Sequence, residues 1–426
     1  MRVLVTGAYG LIGAACLAHL HAAGHDVVAA GRSLRSARRR LPYAQWIAAD
    51  FTKLASAEAW QPLLQGIEAV VNCVGVLQDG LRDDVRRVQL DGTKALFDGC
   101  VRAGVKRVIH ISAIGVAPDG PSAFSRSKAA AEAYLQELPL DWVIVRPALV
   151  LGHAVYGGTA MLRGIAAFPG VVPVVNADAR MQVIGLDDLT ETVARALAPD
   201  APAKTVWEVA HPQVHRLADI VTALRGWLGF PPRRVLALPD VFAKAVAAVA
   251  DALGFLGWRS PARTTSLAQL NAGVIGDPAR WTAETGIAPK SLDQILAART
   301  ASVQDRWFAR LYLLKPPAIL GLAIATIVPN AGRLATYLGI GPSSFGGRPM
   351  LLGAASSAIA LLAGLSLAVR PAARCALLVL LVLTLLQLAG PWFRPSISFV
   401  GPLDAVAFKL PMLLLILFTL GILDDR

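Results

Sequence analysis

The sequence predicts an α/β chain in three parts. They are a doubly wound parallel sheet over residues 1–200, a small α/β subdomain over 201–304 and a four-helix transmembrane segment over 305–426. Three observations predict it. Short β-branched runs alternate with helical stretches through the first part. A glycine-rich turn follows the first run. Four long apolar stretches close the chain.

The strand candidates are Arg2–Thr6, 26–30, Gln45–Ala48, Ala69–Asn72, 107–112 and 142–146, with helical patterns between them at 11–23, 86–103 and 124–138. Strands alternating with helices imply right-handed crossovers and a parallel sheet. Such strands are buried on both faces, which suits the uninterrupted Val143-Ile144-Val145. From 201 onward the pattern is mixed: a strand at Thr205–Val209, a helix at 217–228 and an alanine-rich helix at 241–256. This stretch reads as a substrate-side subdomain. The alanine-rich helix carries few charges; core packing is the commoner explanation for such a helix, and rest on a membrane surface is the other.

The apolar stretches cover 311–328, 350–369, 376–389 and 405–423, the third being the shortest. A stretch of about 20 apolar residues crosses the hydrocarbon layer as a helix because its backbone polar groups are then satisfied internally. Composition agrees: 55% of the 426 residues are hydrophobic, 16% are charged and mean hydropathy is +0.54, whereas soluble domains average about 25% charged. Arg306, Arg310 and Lys315 flank the first stretch, and Arg333, Arg348, Arg370, Arg374 and Arg394 lie between the later ones. These account for part of the net charge of +12. No helix-turn-helix, finger or aromatic-basic strand pattern accompanies that charge, so nucleic acid is not an expected partner. The start Met1-Arg2-Val3-Leu4-Val5 lacks the pattern of a signal peptide. The expected location is therefore the inner membrane, crossed several times, with the N-terminal domain in the cytosol. Cys16, Cys73, Cys100 and Cys375 are widely spaced without a CxxC pair and read as small hydrophobes in a reducing compartment.

Thr6-Gly7-Ala8-Tyr9-Gly10-Leu11-Ile12-Gly13 follows the first strand and opens a helix. In this context Gly7 makes the tight turn, Gly10 lets the backbone approach a pyrophosphate and Gly13 allows close helix–sheet packing. The diphosphate meets unpaired N–H groups at the helix start. This is a Rossmann dinucleotide site. An NAD site usually offers an acid at the end of the second strand, but here that end reads Ala30-Gly31-Arg32-Ser33. Arg32, with Ser33 and Arg35, suits a 2′-phosphate, so the expected cofactor is NADP(H).

These motifs together resemble the extended and atypical short-chain dehydrogenase/reductases, most closely the branch of the nucleotide-binding accessory subunit of respiratory complex I. The resemblance covers about residues 1–300 and adds further residues. Asp50-Phe51 is similar to the pair that meets the adenine. Asn72-Cys73-Val74-Gly75 lies where the fourth strand passes the cofactor. Asp91-Gly92-Thr93 resembles the N-x-x-G-T helix start, with Asp91 for the asparagine. Ser112 and Pro147 end the fifth and sixth strands, and Asp187-Asp188-Leu189 resembles a late V-D-D segment.

The family's Tyr-x-x-x-Lys signature is broken. The segment reads Phe124-Ser125-Arg126-Ser127-Lys128, so Lys128 is present and the phenol is not. Ser112 matches the serine that polarises a carbonyl, and Tyr156 is a candidate replacement for the phenol. The resemblance implies catalysis by Ser112 and Lys128, and a cofactor cradle of Gly7, Tyr9, Gly10, Leu11, Ile12, Gly13, Arg32, Ser33, Asp50, Phe51, Cys73, Val74, Gly75, Lys128 and Pro147. No metal-ligand spacing occurs, and His110 reads as a core residue. The tail resembles DoxX-like four-helix membrane proteins in span number and length. Two functions fit: reduction of a lipophilic carbonyl, enone or quinone, or a silent NADPH-binding sensor or assembly factor for a membrane complex.

Overall fold

The computed structural model describes residues 1–80, 84–338, 348–393 and 402–423. The chain divides into two compact units, Met1–Asp251 with Ser260–Arg306, and Ala252–Arg259 with Trp307–Arg426.

The first unit is built on seven parallel strands. β1 (Arg2–Thr6), β2 (Asp26–Gly31), β3 (Gln45–Ala48), β4 (Ala69–Asn72), β5 (Arg107–Ile111) and β6 (Asp141–Pro147) match the expected strands within a residue or so at each end. The order across the sheet is β3-β2-β1-β4-β5-β6, followed by Thr205–Val209 beside β6. That last strand had been placed in the substrate-side stretch. Trp207 and Val209 are fully buried and extend the central core instead. Alternate residues feed opposite faces, as the pleat requires. Val3, Val5, Val143 and Val145 join one core with Leu17, Val193 and Trp207. Leu4 and Ile144 join the other with Trp60, Leu96 and Phe97. Each fully buried large apolar side chain contributes about 1.5–3 kcal/mol.

The helices that matter for the site are α1 (Leu11–Ala22), α2 (Leu34–Arg40), α3 (Ala57–Leu64), α4 (Gly92–Ala103) and α5 (Ala123–Glu137). Small two-stranded pairings complete the unit: Leu149–Leu151 with Val183–Gly185, Arg180–Met181 with His215–Arg216, and Val172–Val175 with Val235–Leu238. Several of these strands precede residue 201, so this layer of small pairings is interleaved with the main sheet and is not confined to 201–304.

The helix Asp240–Phe255 buries three of its alanines but not its large apolar side chains. Ala243, Ala247 and Ala250 are buried, while Phe242 and Val249 are 60% and 62% exposed. Spacings of four, three and four put Phe242, Val246, Val249 and Leu253 on one open face.

The second unit contains the helices Arg348–Ser366, Arg370–Phe393 and Pro402–Ile422 and most of Val303–Tyr337. Among the described residues two segments, Val303–Tyr337 and Arg370–Ala389 within Arg370–Phe393, are long and apolar enough to cross a membrane by length and composition. Among the described residues the other two helices contribute the apolar segments Leu351–Ser366 and Lys409–Ile422, and the third stretch, shortest in the sequence, lies in a helix of 24 residues. The helices meet through alanines (Ala360, Ala363, Ala373 and Ala376) packed among larger side chains such as Leu322, Leu377 and Ile416. Arg394 lies outside the described residues, as do the side chains of Arg35 and Arg348.

Candidate dinucleotide and active site

Strand order reverses between β1 and β4, and ligands of open α/β sheets bind in the crevice at such a switch point. The predicted cradle residues that follow β1 and β4, from Gly7 and from Cys73 onward, lie at this end. Gly7 has φ +62°, and a Cβ on it would come 2.9 Å from the Cys73 carbonyl oxygen. A Cβ on Gly13 would run into the Gly7 carbonyl, so only glycine lets α1 approach β1 this closely. Gly10 caps α1 without a side-chain acceptor, and the first turn carries no acid. The Gly10 N–H closes the turn on the Gly7 carbonyl at 2.8 Å, which leaves the backbone N–H groups of Leu11 and Ile12 at the helix start to face an anion. The cradle fits a dinucleotide pyrophosphate.

At the end of β2 the ring of Tyr9 lies against Gly31, where any side chain would strike it, and stacks on Trp46 at 6.4 Å. Arg32 and Ser33 follow, both exposed. Asp50 Oδ1 accepts from the N–H and hydroxyl of Thr52 and so shapes the turn after β3. The Phe51 side chain is core, edge-on to Trp60 at 5.1 Å, so only its backbone remains for an adenine.

Beneath the cleft runs a buried polar line that the sequence reading missed. The Thr6 hydroxyl lies 2.7 Å from Asn72 Oδ1, which also accepts from the Val74 N–H, and Asn72 Nδ2 lies 3.1 Å from His110 Nδ1. Burial, and then the charge of Lys128, hold the His110 pKa well below its ordinary value, so the ring is neutral. His110 is a core residue, with Nε2 unpartnered among the described residues. Cys73 and Gly75 bring the chain out of β4 toward Lys128: a Cβ on Gly75 would lie 3.8 Å from Nζ.

Lys128, on α5, is 5% exposed, and its Nζ donates to the Ile111 carbonyl at 2.6 Å. Burial lowers its pKa from 10.5 to about 8, against the opposing pull of Glu132 and Cys73. Ser112 is the next residue after Ile111. Its N–H is fixed on the Val145 carbonyl at 2.7 Å, while its buried Oγ has no partner among the described residues. An unsatisfied hydroxyl one residue past the acceptor of a buried ammonium suits a carbonyl ligand. Pro147 ends β6 and accepts the Ile114 N–H, which sets the adjacent wall. Phe124 is partly buried on α5. Tyr156 is half-buried in the loop before Gly158–Ala166, its N–H donating to Thr159 Oγ1.

One motif assignment shifts by two residues. Asp91 is exposed, whereas Gln89 is 2% exposed, donates to Ser127 Oγ at 3.0 Å and accepts the Val76 N–H at 3.4 Å. A wide helical turn over Arg87–Asp91 carries Gln89 inward, joining the β4 exit to the helix of Lys128. Arg146 on β6 also fixes α5, through a bidentate pair with Glu132 and a second contact to Glu208. The late acidic segment is structural: Asp188, buried, pairs with Lys290. The cysteines are all free; Cys16 and Cys73 are neighbours, and Cys375 is exposed rather than buried. Among the described residues no cluster suits a metal ion.

Residues 7–163 match the NAD(P)H-binding family. The first unit carries an NAD(P)-binding Rossmann domain. Its fold is that of UDP-glucuronic acid 4-epimerase from Bacillus cereus, solved with NAD and UDP-glucuronic acid. The TM-score is 0.53 at 18% identity over 73% of this chain and 100% of that one. An uncharacterized protein of Mycobacterium tuberculosis is 30% identical over 197 residues, which is 46% of this chain and only 20% of that protein's length. Sterol demethylase protein B of Methylococcus capsulatus is 28% identical over 336 residues, covering 72% of this chain and 99% of that one. Ceramide reductase of Caulobacter vibrioides is 25% identical over 50% of this chain and 65% of its own length. The complex I branch is also represented. Subunit 9 of the NADH dehydrogenase 1 alpha subcomplex of Arabidopsis thaliana is 32% identical over 35% of this chain and 37% of its own.

Proposed function

We propose that the protein is a membrane-anchored, NADPH-dependent oxidoreductase whose substrate is a lipophilic carbonyl, enone or quinone. The observation that carries this reading is the buried Lys128, bonded to the carbonyl of the residue before Ser112, together with the unpartnered Ser112 hydroxyl and the glycine cradle after β1. A structural core seldom keeps a desolvated ammonium and an idle hydroxyl at the end of one strand.

Gly7, Gly10 and Gly13 would hold the pyrophosphate, Arg32 and Ser33 the 2′-phosphate, and Lys128 the nicotinamide ribose. When bound, the cofactor supplies the hydride. Ser112 donates its hydroxyl hydrogen bond to the substrate carbonyl and polarises it. Lys128, with a pKa near 8, is largely an ammonium at neutral pH and is the proton source that Phe124 cannot be.

Membrane anchoring is supported by the surface of the second unit. The most apolar windows of its two longest helices are only 11% and 28% buried, which a soluble core would not tolerate. The open face of Asp240–Phe255 suits the same solvent. A chain held at a bilayer meets lipophilic substrates at a raised local concentration, and the names of sterol demethylase protein B and ceramide reductase point to the same substrate class. The remaining apolar helices, Arg348–Ser366 and Pro402–Ile422, would complete four spans with the Rossmann domain on the cytosolic side of the inner membrane.

The test is turnover. The detergent-purified chain, loaded with NADPH and given a host lipid extract, is expected to lose the reduced nicotinamide absorbance in an extract-dependent way. Gly10→Asp should abolish that loss. Saturable binding with no oxidation under any lipid would overturn the enzymatic reading. Phe124 favours a second reading, a silent NADPH-binding sensor or assembly factor for a membrane complex. Phe124→Tyr separates the two: a large gain in turnover marks an active site short of a proton donor, and no change marks a site used only for binding.

A further inference from the structure

Within the second unit, we infer that a cavity between the helices binds an amphiphile with an anionic head group and a hydrocarbon chain. The inference rests on the membrane reading above. The cavity measures about 390 Å³, room for a head group and the start of a chain. Its lining divides by chemistry. Leu380, Leu383, Met412 and Leu415 make an apolar wall, and Arg333, Lys409, Asn330 and Gln387 make a polar one.

The charges decide the ligand. Arg333 stands four residues before the end of Val303–Tyr337, and Lys409 seven residues into Pro402–Ile422, about 10 Å along that helix. Both line the same cavity; among the described residues no carboxylate lines it with them, and neither side chain has an ion pair or hydrogen bond. Arg333 is exposed near its helix end and Lys409 is partly buried; two cations facing one cavity repel each other, and each lacks a counter-charge among the described residues. An anion relieves both at once.

The polar groups beside them do not compete for the cations. Asn330 Nδ2 donates back to the Thr326 carbonyl at 2.7 Å, and the hydroxyls of Thr326 and Thr384 are spent on the carbonyls four residues earlier. Arg333, Lys409 and the Gln387 amide are thus the groups left to bind a ligand, the first two of them cationic, and the leucine and methionine wall takes its chain. A phospholipid phosphate and a fatty-acid carboxylate share this chemistry.

Native mass spectrometry of the full-length, delipidated protein tests the inference, with dioleoyl phosphatidylglycerol, oleate and dioleoyl phosphatidylcholine as probes. One molecule of an anionic probe per chain should be retained, at least tenfold better than phosphatidylcholine. Preference between phosphatidylglycerol and oleate identifies the source of the anion. Lys409→Met should cut retention at least tenfold, Lys409→Arg should keep it, and NADPH binding should be unchanged in both. Equal retention of phosphatidylcholine, or retention indifferent to Lys409→Met, would overturn the site and leave the basic groups as residues reaching for the membrane surface. Because wild-type lipid preference is read directly, the result stands even if Lys409→Met folds poorly. Carbonate washing of vesicles tests the membrane reading separately. A chain that stays in washed vesicles without anion preference sinks only the cavity, and a washed-out chain that still selects the anion sinks only the anchoring.

Discussion

Lys128→Met should make the apo protein more stable at neutral pH while weakening nucleotide binding. The lowering of the Lys128 pKa from 10.5 to about 8 corresponds to about 3 kcal/mol by which the folded state disfavours the ammonium. Below pH 8 both folded and unfolded chains are protonated, and the full penalty is present. Between pH 8 and 10.5 the unfolded chain keeps a proton that the folded chain has released. Stability of the wild type therefore rises with pH through that window and regains the penalty above it. Methionine keeps the straight stem and removes the charge. It also strips the Ile111 carbonyl of its donor, a loss of about 1 kcal/mol that does not depend on pH. The comparison between pH values isolates the charge: by pH 9.5 the wild type should gain about 2 kcal/mol on the variant. At about 2 °C per kcal/mol for a unit of this size, the gap in Tm should narrow by about 4 °C between pH 7 and 9.5. Tryptophan fluorescence melts can read it, since Trp60, Trp207 and Trp281 are fully buried in the first unit. A gap that is constant with pH would refute the claim of a buried, titrating ammonium. Unchanged NADPH affinity in the variant would refute its place at the cofactor.

Three other outcomes follow from the same geometry. Arg32→Ala should weaken NADPH about tenfold or more and leave NADH unchanged, because a charge-assisted bond to phosphate contributes about 1.5–3 kcal/mol; parallel titrations with both nucleotides check it. The ammonium of Lys128 is the active form, so kcat/KM for NADPH oxidation should fall as pH rises through about 8, and a profile flat from pH 6 to 10 would remove Lys128 as proton source. Glu132→Gln should lower stability by about 3 kcal/mol, seen as a fall in Tm, because it breaks a buried ion pair and leaves Arg146 with only Glu208.

Much of the Rossmann domain was legible because its physics is local. Buried parallel strands are β-branched runs, so β1 to β6 announce themselves, and Gly7, Gly10 and Gly13 are dictated by a turn that admits no Cβ. What was missed depends on contacts distant in sequence. The wide turn that swings Gln89 inward in place of Asp91 has no compositional signal. Arg146 and Glu132 look like surface charges until α5 folds back along β6. Thr205–Val209 reads as a strand anywhere, and only packing of Trp207 assigns it to the main sheet. Apolar helices are ambiguous in another way: Asp240–Phe255 has the same sequence pattern whether its valines meet a core or a lipid. A motif also led to a wrong emphasis at Phe51, whose side chain belongs to the core against Trp60.

The most direct measurement is a calorimetric titration of the full-length, detergent-held chain with NADPH, wild type against Gly10→Asp. The new carboxylate would stand at the start of α1, where the backbone N–H groups await the pyrophosphate. The account predicts one saturable site per chain in the wild type and a loss of at least a hundredfold in the variant, with Tm little changed. A wild type that binds neither NADPH nor NADH, or a variant that binds as well as the wild type, would contradict it.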